Sequence, residues 1–170
     1  MGQGEHDPEG TLTGAIVHDG VDTGAKSGPR WVMAQTKVGQ MGWMDLTIEN
    51  ASEVRGFYET VVGWSVMPIE MEGYDDYCMI PPGSDAPVVG ICHARGPNLG
   101  IPPYWLPYFT VADLERSLEA VRAGGGTVVR DIKDAGTGRF ALIKDPSGAV
   151  CSLFQWKADD APSAAPEGGG

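Results

Sequence analysis

Histidine is scarce in this chain of 170 residues: there are 3, and His6 and His18 lie in an N-terminal stretch rich in Gly, Asp and Thr. His93 is then the sole imidazole from residue 40 onward, so a site built from several histidines cannot be assembled there. Cations are scarce too. With 12 Lys and Arg against 23 Asp and Glu the formal net charge is −11, and no basic cluster exists that could release counterions from a phosphate backbone. Nucleic acid is therefore not an expected partner. Cys78, Cys92 and Cys151 are odd in number, lack a CxxC partner and each fall in an apolar run, which reads as buried free thiols rather than a disulfide frame or metal site. No stretch approaches the roughly 20 apolar residues of a membrane span, and the N-terminal segment lacks the basic cluster and apolar run of a secretory signal. A cytoplasmic protein with no membrane partner is expected. Asn50-Ala51-Ser52 fits a glycosylation triplet, but nothing signals secretion and the same Asn has a helix-capping role.

What the chain does contain is an internal repeat. Trp43 to Val66 falls onto Leu106 to Val129 at a constant offset, matching Leu46 with Phe109, Thr47 with Thr110, Ile48 with Val111, Asn50 with Asp113 and Gly63 with Gly126. In the first copy, Trp43 to Ile48 alternates as a strand. Asn50 then caps a helix with Glu53 in its first turn, and Val54, Phe57, Tyr58, Val61 and Val62 recur at helical spacing until Gly63. In the second, Tyr108 to Val111 is the strand, Asp113 the cap, Leu114, Leu118 and Val121 the apolar stripe, and Gly124 to Gly126 the stop. That glycine run follows a helix instead of preceding one, so it is a stop signal and not a phosphate cradle. Extended runs follow each helix: Trp64 to Met67, Tyr77 to Ile80 and Val88 to Cys92, then Thr127 to Ile132, Phe140 to Lys144 and Val150 to Gln155. Pro81-Pro82-Gly83 and Asp145-Pro146-Ser147-Gly148 mark turns between them. The order is βαβββ twice over. One such unit leaves a sheet face bare, and pairing two about a pseudo-twofold encloses a common cleft.

The strings Phe57-Tyr58, Val62-Gly63-Trp64, Tyr108-Phe109-Thr110-Val111-Ala112-Asp113, Gly125-Gly126 and Asp145-Pro146-Ser147-Gly148, in that order, resemble the vicinal oxygen chelate superfamily. This is the group of glyoxalases, bleomycin-resistance proteins and extradiol dioxygenases. The resemblance implies an α+β fold in which two βαβββ units form a paired, curved mixed sheet over residues 40–156. Residues 1–37 and 157–170 lack the apolar content to fold alone and are expected to be disordered extensions. The superfamily's metal enzymes hold a divalent ion through side chains, commonly His and Glu, at the start of the first strand of each unit and in the final strand. Those places fall here on Trp43, Leu106 and Ser152, none of which suits a catalytic divalent ion, so the expectation is no metal and no cofactor.

Strand alternation places Trp43, Asp45 and Thr47 on one face and Leu106, Tyr108 and Thr110 on the matching face of the second unit. If the family's geometry holds, the ligand-binding residues are Trp43, Asp45, Thr47, Leu106, Tyr108, Ser152 and Phe154, an aromatic and mainly apolar lining with a few polar groups. Asp45 and His93 are the catalytic candidates. A desolvated carboxylate beside Trp43 can serve as a general base or anchor, while a structural ion pair with an Arg is the plainer reading. His93, before Ala94-Arg95-Gly96-Pro97, can shuttle protons at the cleft mouth or act only as a hydrogen-bonded loop residue. Tyr104 and Trp105 are read as packing for the linker between the units, and Arg95 as a solvated charge.

Three functions fit these residues. The first is a glyoxalase/bleomycin-resistance-like protein binding a small, partly apolar or aromatic molecule in a metal-free cleft. The second is a lyase, isomerase or dioxygenase-type enzyme using Asp45 and His93 or an atypical divalent metal. The third is a non-catalytic interaction domain, which a cleft filled by Trp43 and Tyr108 side chains favours. The resemblance also implies a homodimer.

Overall fold

The computed structural model describes residues 36–162. Expectations for residues 1–35 and 163–170 lie outside the described residues. The first unit comprises β1 (Met41–Ile48), α1 (Ala51–Val62), β2 (Ser65–Glu70), β3 (Asp75–Ile80) and β4 (Val89–His93). After a single turn of 3-10 helix at Gly96–Asn98 the second comprises β5 (Trp105–Thr110), α2 (Leu114–Ala123), β6 (Thr127–Asp134), β7 (Gly138–Lys144) and β8 (Val150–Trp156). The strands form one 8-stranded mixed sheet in the order β2-β3-β4-β1-β5-β8-β7-β6, so each unit supplies one contiguous half and β1 meets β5 at the centre. β1 and β5 run antiparallel, while β1 with β4 and β5 with β8 are parallel. This α+β architecture is the paired βαβββ arrangement.

The sheet has a helix-bearing face and an inward face. On the former, Leu46, Tyr77, Met79, Val89 and Ile91 bury against Ala51, Val54 and Tyr58 of α1. Leu114, Leu118 and Val121 of α2 pack on Ala141, Ile143 and Leu153 in the same way. The helix ends differ. Asp113 accepts the Arg116 amide at 2.8 Å, a true N-cap, whereas Asn50 makes no side-chain cap bond and donates instead to Glu53 Oε2 at 3.1 Å. Gly63 ends α1 in the left-handed conformation, φ 79°, which only glycine adopts at little cost.

β5 starts at Trp105, earlier than the sequence pattern suggests. The Trp105 ring turns to the helix side, donates through Nε1 to Tyr58 Oη at 3.0 Å and meets Tyr58 and Trp64 edge-on. That packing holds Trp105 to Pro107 in the sheet although proline donates nothing to it. At the C-terminal side, Lys157 is paired with Asp134 at 2.8 Å and its amide donates to Thr137.

Candidate functional site

The register brings the inward residues into two cross-strand rows. One runs Met67, Cys78, Gly90, Asp45, Leu106; the other runs Trp43, Tyr108, Ser152, Leu142, Arg130. Asp45 and Tyr108 occupy equivalent places in the two units and lie side by side at the centre of the inward face. Trp43, Tyr108 and Phe154 form one buried cluster with Cys78 and Ala135, against which Met67, Ile69, Phe140 and Trp156 pack. Leu106 belongs to a neighbouring cluster with Ile101 and Leu142. Thr47 and Ser152 are buried as well, the Ser152 hydroxyl donating to Ala141 O at 3.3 Å. Trp43 is only 4% and Tyr108 8% exposed, so the inward face is packed by its own aromatic side chains.

Asp45 is the polar centre of this face. Its Oδ1 accepts Trp43 Nε1–H at 2.7 Å, and the Tyr108 hydroxyl donates to the same carboxyl. The partners are an indole and a phenol, not the arginine of the plainer expectation. Space for the carboxylate comes from Gly90 on the paired strand: a Cβ there would lie 2.1 Å from Asp45 Oδ1 and 3.5 Å from Trp43 Nε1. Desolvation pushes the carboxyl up to about 6, the two donors offsetting only part of the cost of burial. Tyr108 is raised well above its ordinary range by burial and by the Asp45 charge, and burial first, then Asp45, pushes the Cys78 thiol up to about 12.

The residues at the family's metal positions do not fit a divalent ion. Trp43 spends its one polar atom on Asp45, Leu106 has none, and Ser152 gives its hydroxyl to the backbone. Among the described residues no three His, Cys, Asp or Glu side chains come close enough to hold a metal.

A cavity of about 400 Å³ opens where β5 and β8 end, lined in part by Thr36, Thr110, Gln155 and Trp156. It adjoins the inward rows through Thr110, whose hydroxyl pairs with that of Thr36 at 2.6 Å, and through Trp156.

His93 stands apart from Asp45. It is the last residue of β4, a strand residue instead of a loop one, and alternation puts it with Ile91 on the helix-bearing side. There Nε2 lies 3.2 Å from Ser52 Oγ, Nδ1 lies 3.4 Å from Asp76 Oδ1, and Ser52 Oγ is 2.9 Å from the Tyr77 hydroxyl. Asp76 also accepts the His93 amide at 2.7 Å. Arg95 lies over the Tyr74 ring at 5.5 Å. Sequence reasoning missed Ser52, Asp76 and Gly90. Asp76 carried a signal, being a carboxylate one residue before an apolar strand core, but nothing in the order of residues tied it to His93.

Comparison with known proteins places these features. Residues 40–153 match the family model described as Glyoxalase/Bleomycin resistance protein/Dioxygenase superfamily. The candidate glyoxylase CFP32 of Mycobacterium bovis is 30% identical over 132 residues, 72% of this chain and 48% of that protein. The anthracycline biosynthesis protein DauV of a Streptomyces species is 28% identical over 117 residues, 69% of this chain and 42% of that protein. The chain thus spans about half the length of the curated relatives it matches. A crystal structure of methylmalonyl-CoA epimerase from Mycobacterium tuberculosis shares the fold, with a TM-score of 0.51 at 16% identity over 76% of this chain and 96% of that one.

Proposed function

The chain belongs to the glyoxalase/bleomycin resistance protein/dioxygenase superfamily, and on that footing we propose that it binds a small, partly apolar or aromatic molecule at the inward face without a metal, Asp45 serving as polar anchor. The observation that carries this reading is a carboxyl buried against Gly90, held by Trp43 and Tyr108, and pushed up to about 6. Near neutral pH such a group exists in both protonation forms, so it can accept a hydrogen bond from a ligand or donate one. Around it the surface is aromatic and aliphatic, which suits a planar guest. Because Trp43 and Tyr108 are themselves covered, the guest enters from the cavity at Thr110 and Trp156 and displaces packed rings. Trp43, Asp45, Thr47, Leu106, Tyr108, Ser152 and Phe154 are the residues proposed to contact it.

That same packing favours a second reading, an interaction domain whose cleft is filled from within. One titration separates the two. Anthracyclines are planar and aromatic, and a relative is named for their biosynthesis, so an anthracycline is a suitable probe alongside 1-anilinonaphthalene-8-sulfonate. Saturable quenching of tryptophan fluorescence is expected, weakened on the order of tenfold in Asp45→Asn, the loss expected for one hydrogen bond to a charged group. No saturation by either probe supports the filled cleft, and equal affinity in the variant removes Asp45 as anchor. We further propose that the protein acts in the cytoplasm and as a homodimer, which sedimentation of the purified chain tests.

A further inference from the structure

At the paired ends of β3 and β4, His93 and Ser52 meet on the helix-bearing side of the sheet, on the other face from Asp45, and the Asp76 carboxylate approaches the His93 ring from the strand beside it. We propose that this is a second site, in which Ser52 is a nucleophile activated by His93 and oriented through Asp76, acting on short-chain acyl esters. The inference does not depend on the ligand at the inward face.

The parts stand in the order that nucleophilic catalysis needs. Asp76 is fully buried and His93 5% exposed, whereas Ser52 is an exposed residue on the first turn of α1. Asp76 Oδ1 lies 3.4 Å from His93 Nδ1, which is buried and makes no hydrogen bond, so a proton on Nδ1 would face that carboxylate once the two close up. Nε2 faces Ser52 Oγ at 3.2 Å, and in the tautomer with hydrogen on Nδ1 it offers its lone pair to the serine hydroxyl. The 3.2 Å Ser52–His93 contact is loose and the His93–Asp76 bond is unformed; such bonds often tighten only when substrate binds. Asp76 is held in turn by the His93 amide at 2.7 Å and by Asn98 Nδ2 at 3.4 Å. Tyr74 and Tyr77 flank the imidazole ring at 5.4 and 5.9 Å.

Two further groups belong to the same end of α1. The amides of Ala51 and Ser52 are the first of α1 and have no acceptor within the helix; Asn50 does not cap them with its side chain. They form the positive end of the helix dipole, where a developing oxyanion is stabilised. Arg55, one turn along, lies 4.8 Å over the Tyr77 ring, and its Nε is buried with no hydrogen-bond partner. An unspent donor and an uncapped helix start beside a histidine-bonded serine are costly for stability alone.

Chemically, Ser52 Oγ adds to the ester carbonyl carbon as its proton passes to His93 Nε2. The carbon–oxygen bond to the alcohol then breaks, and the alcohol leaves with that proton. Water repeats the sequence on the acylated serine, so one ester and one water give one acid and one alcohol. Ser52 and His93 touch the reacting atoms; Asp76 is a positioning residue.

The test uses the full chain and a fluorophosphonate probe, with the adduct mapped by peptide mass spectrometry. An adduct on Ser52 is expected, absent in Ser52→Ala and slowed on the order of a hundredfold in His93→Gln, the worth of a positioned base. Asp76→Asn is expected to slow labelling and shift its pH midpoint, which a purely structural carboxylate would leave in place. No adduct on Ser52, or an equal rate in folded His93→Gln, overturns the proposal. Should His93→Gln fail to fold by circular dichroism, Ser52→Cys decides. Its introduced thiol is expected to react with iodoacetamide at pH 6 at least about tenfold faster than glutathione, because a histidine neighbour lowers a thiol's pKa; a rate no faster than glutathione overturns it.

Discussion

Asp45 and Gly90 are a single unit at the level of residues, since the carboxylate occupies the volume that any larger side chain at 90 would fill. Gly90→Ala puts Cβ 2.1 Å from Asp45 Oδ1, in a sheet centre that cannot open, and overpacking of this kind costs about 1–3 kcal/mol. Chemical denaturation of Gly90→Ala, of Asp45→Ala and of the double variant is expected to show strong non-additivity, the double losing less than the sum. Additive losses would mean that the two side chains do not share the space. The charge on Asp45 has its own signature. Its folded pKa, about 6, lies above the 3.8 of an exposed carboxyl, so the folded state holds the proton more tightly than the unfolded chain does. Stability from this group is therefore greatest below about pH 4 and falls as pH rises to about 6, by an amount on the order of 3 kcal/mol. Asp76, raised chiefly by burial, acts in the same direction. Asp45→Asn keeps an acceptor for Trp43 and removes the ionisation, so the difference between wild type and variant isolates the effect. The variant is expected to gain stability relative to wild type between pH 4 and 7; parallel profiles across that range would show that burial does not perturb Asp45.

At the level of elements, the two helices are related by the repeat but do not begin alike. Asp113 accepts the Arg116 amide, while Asn50, its counterpart, is turned away to Glu53. Asp113→Ala is expected to cost about 1 kcal/mol and Asn50→Ala less than half of that, read from the shift in denaturation midpoint at constant slope. Equal costs would show that the sequence repeat, and not the cap bond, governs helix entry. The elements themselves were legible because turn residues cut the chain into short apolar runs, and because period 2 and period 3.6 alternate in the same order twice. Strand alternation also read correctly that Trp43, Asp45 and Tyr108 share a face, since a pleat leaves no choice once one neighbour is placed. What stayed hidden depends on contacts across the chain. Ser52 reaches His93 because α1 crosses over β3 and β4, and Asp76 meets the His93 amide because of how β3 pairs with β4. In the sequence the apolar run ends at Cys92, which leaves His93 either as a proton shuttle at the cleft mouth or as a loop residue, whereas the ladder to β1 carries on to the pairing of Ile48 with His93.

For the whole molecule, the pseudo-twofold decides where metal-binding groups can meet. The inward face takes its central residues from β1 and β5, the strands that meet at the axis, and a divalent ion held there needs oxygen, nitrogen or sulfur donors converging from both units. Here the second unit presents Leu106, Tyr108 and Thr110 from β5, with Ser152 and Phe154 from β8, so its donors are hydroxyls alone. The first unit presents Asp45, which already accepts from two donors, the Thr47 hydroxyl, and Cys78 and Cys92, whose thiols burial raises, Cys78 to about 12, so that the thiolate a metal requires is disfavoured. Elemental analysis of untagged protein purified without chelator is therefore expected to find less than stoichiometric nickel, zinc, manganese and iron. Thermal unfolding is expected to be unmoved by adding each ion. One equivalent of metal together with a stabilisation that saturates would show that Asp45 and Cys92 exchange their present partners for the ion, and would turn the inward face from a binding surface into a metal centre. The acid dependence separates the two: a metal released as Asp45 and Cys92 take up protons would make the protein less stable at low pH, opposite in sign to the gain that the buried carboxyl alone predicts.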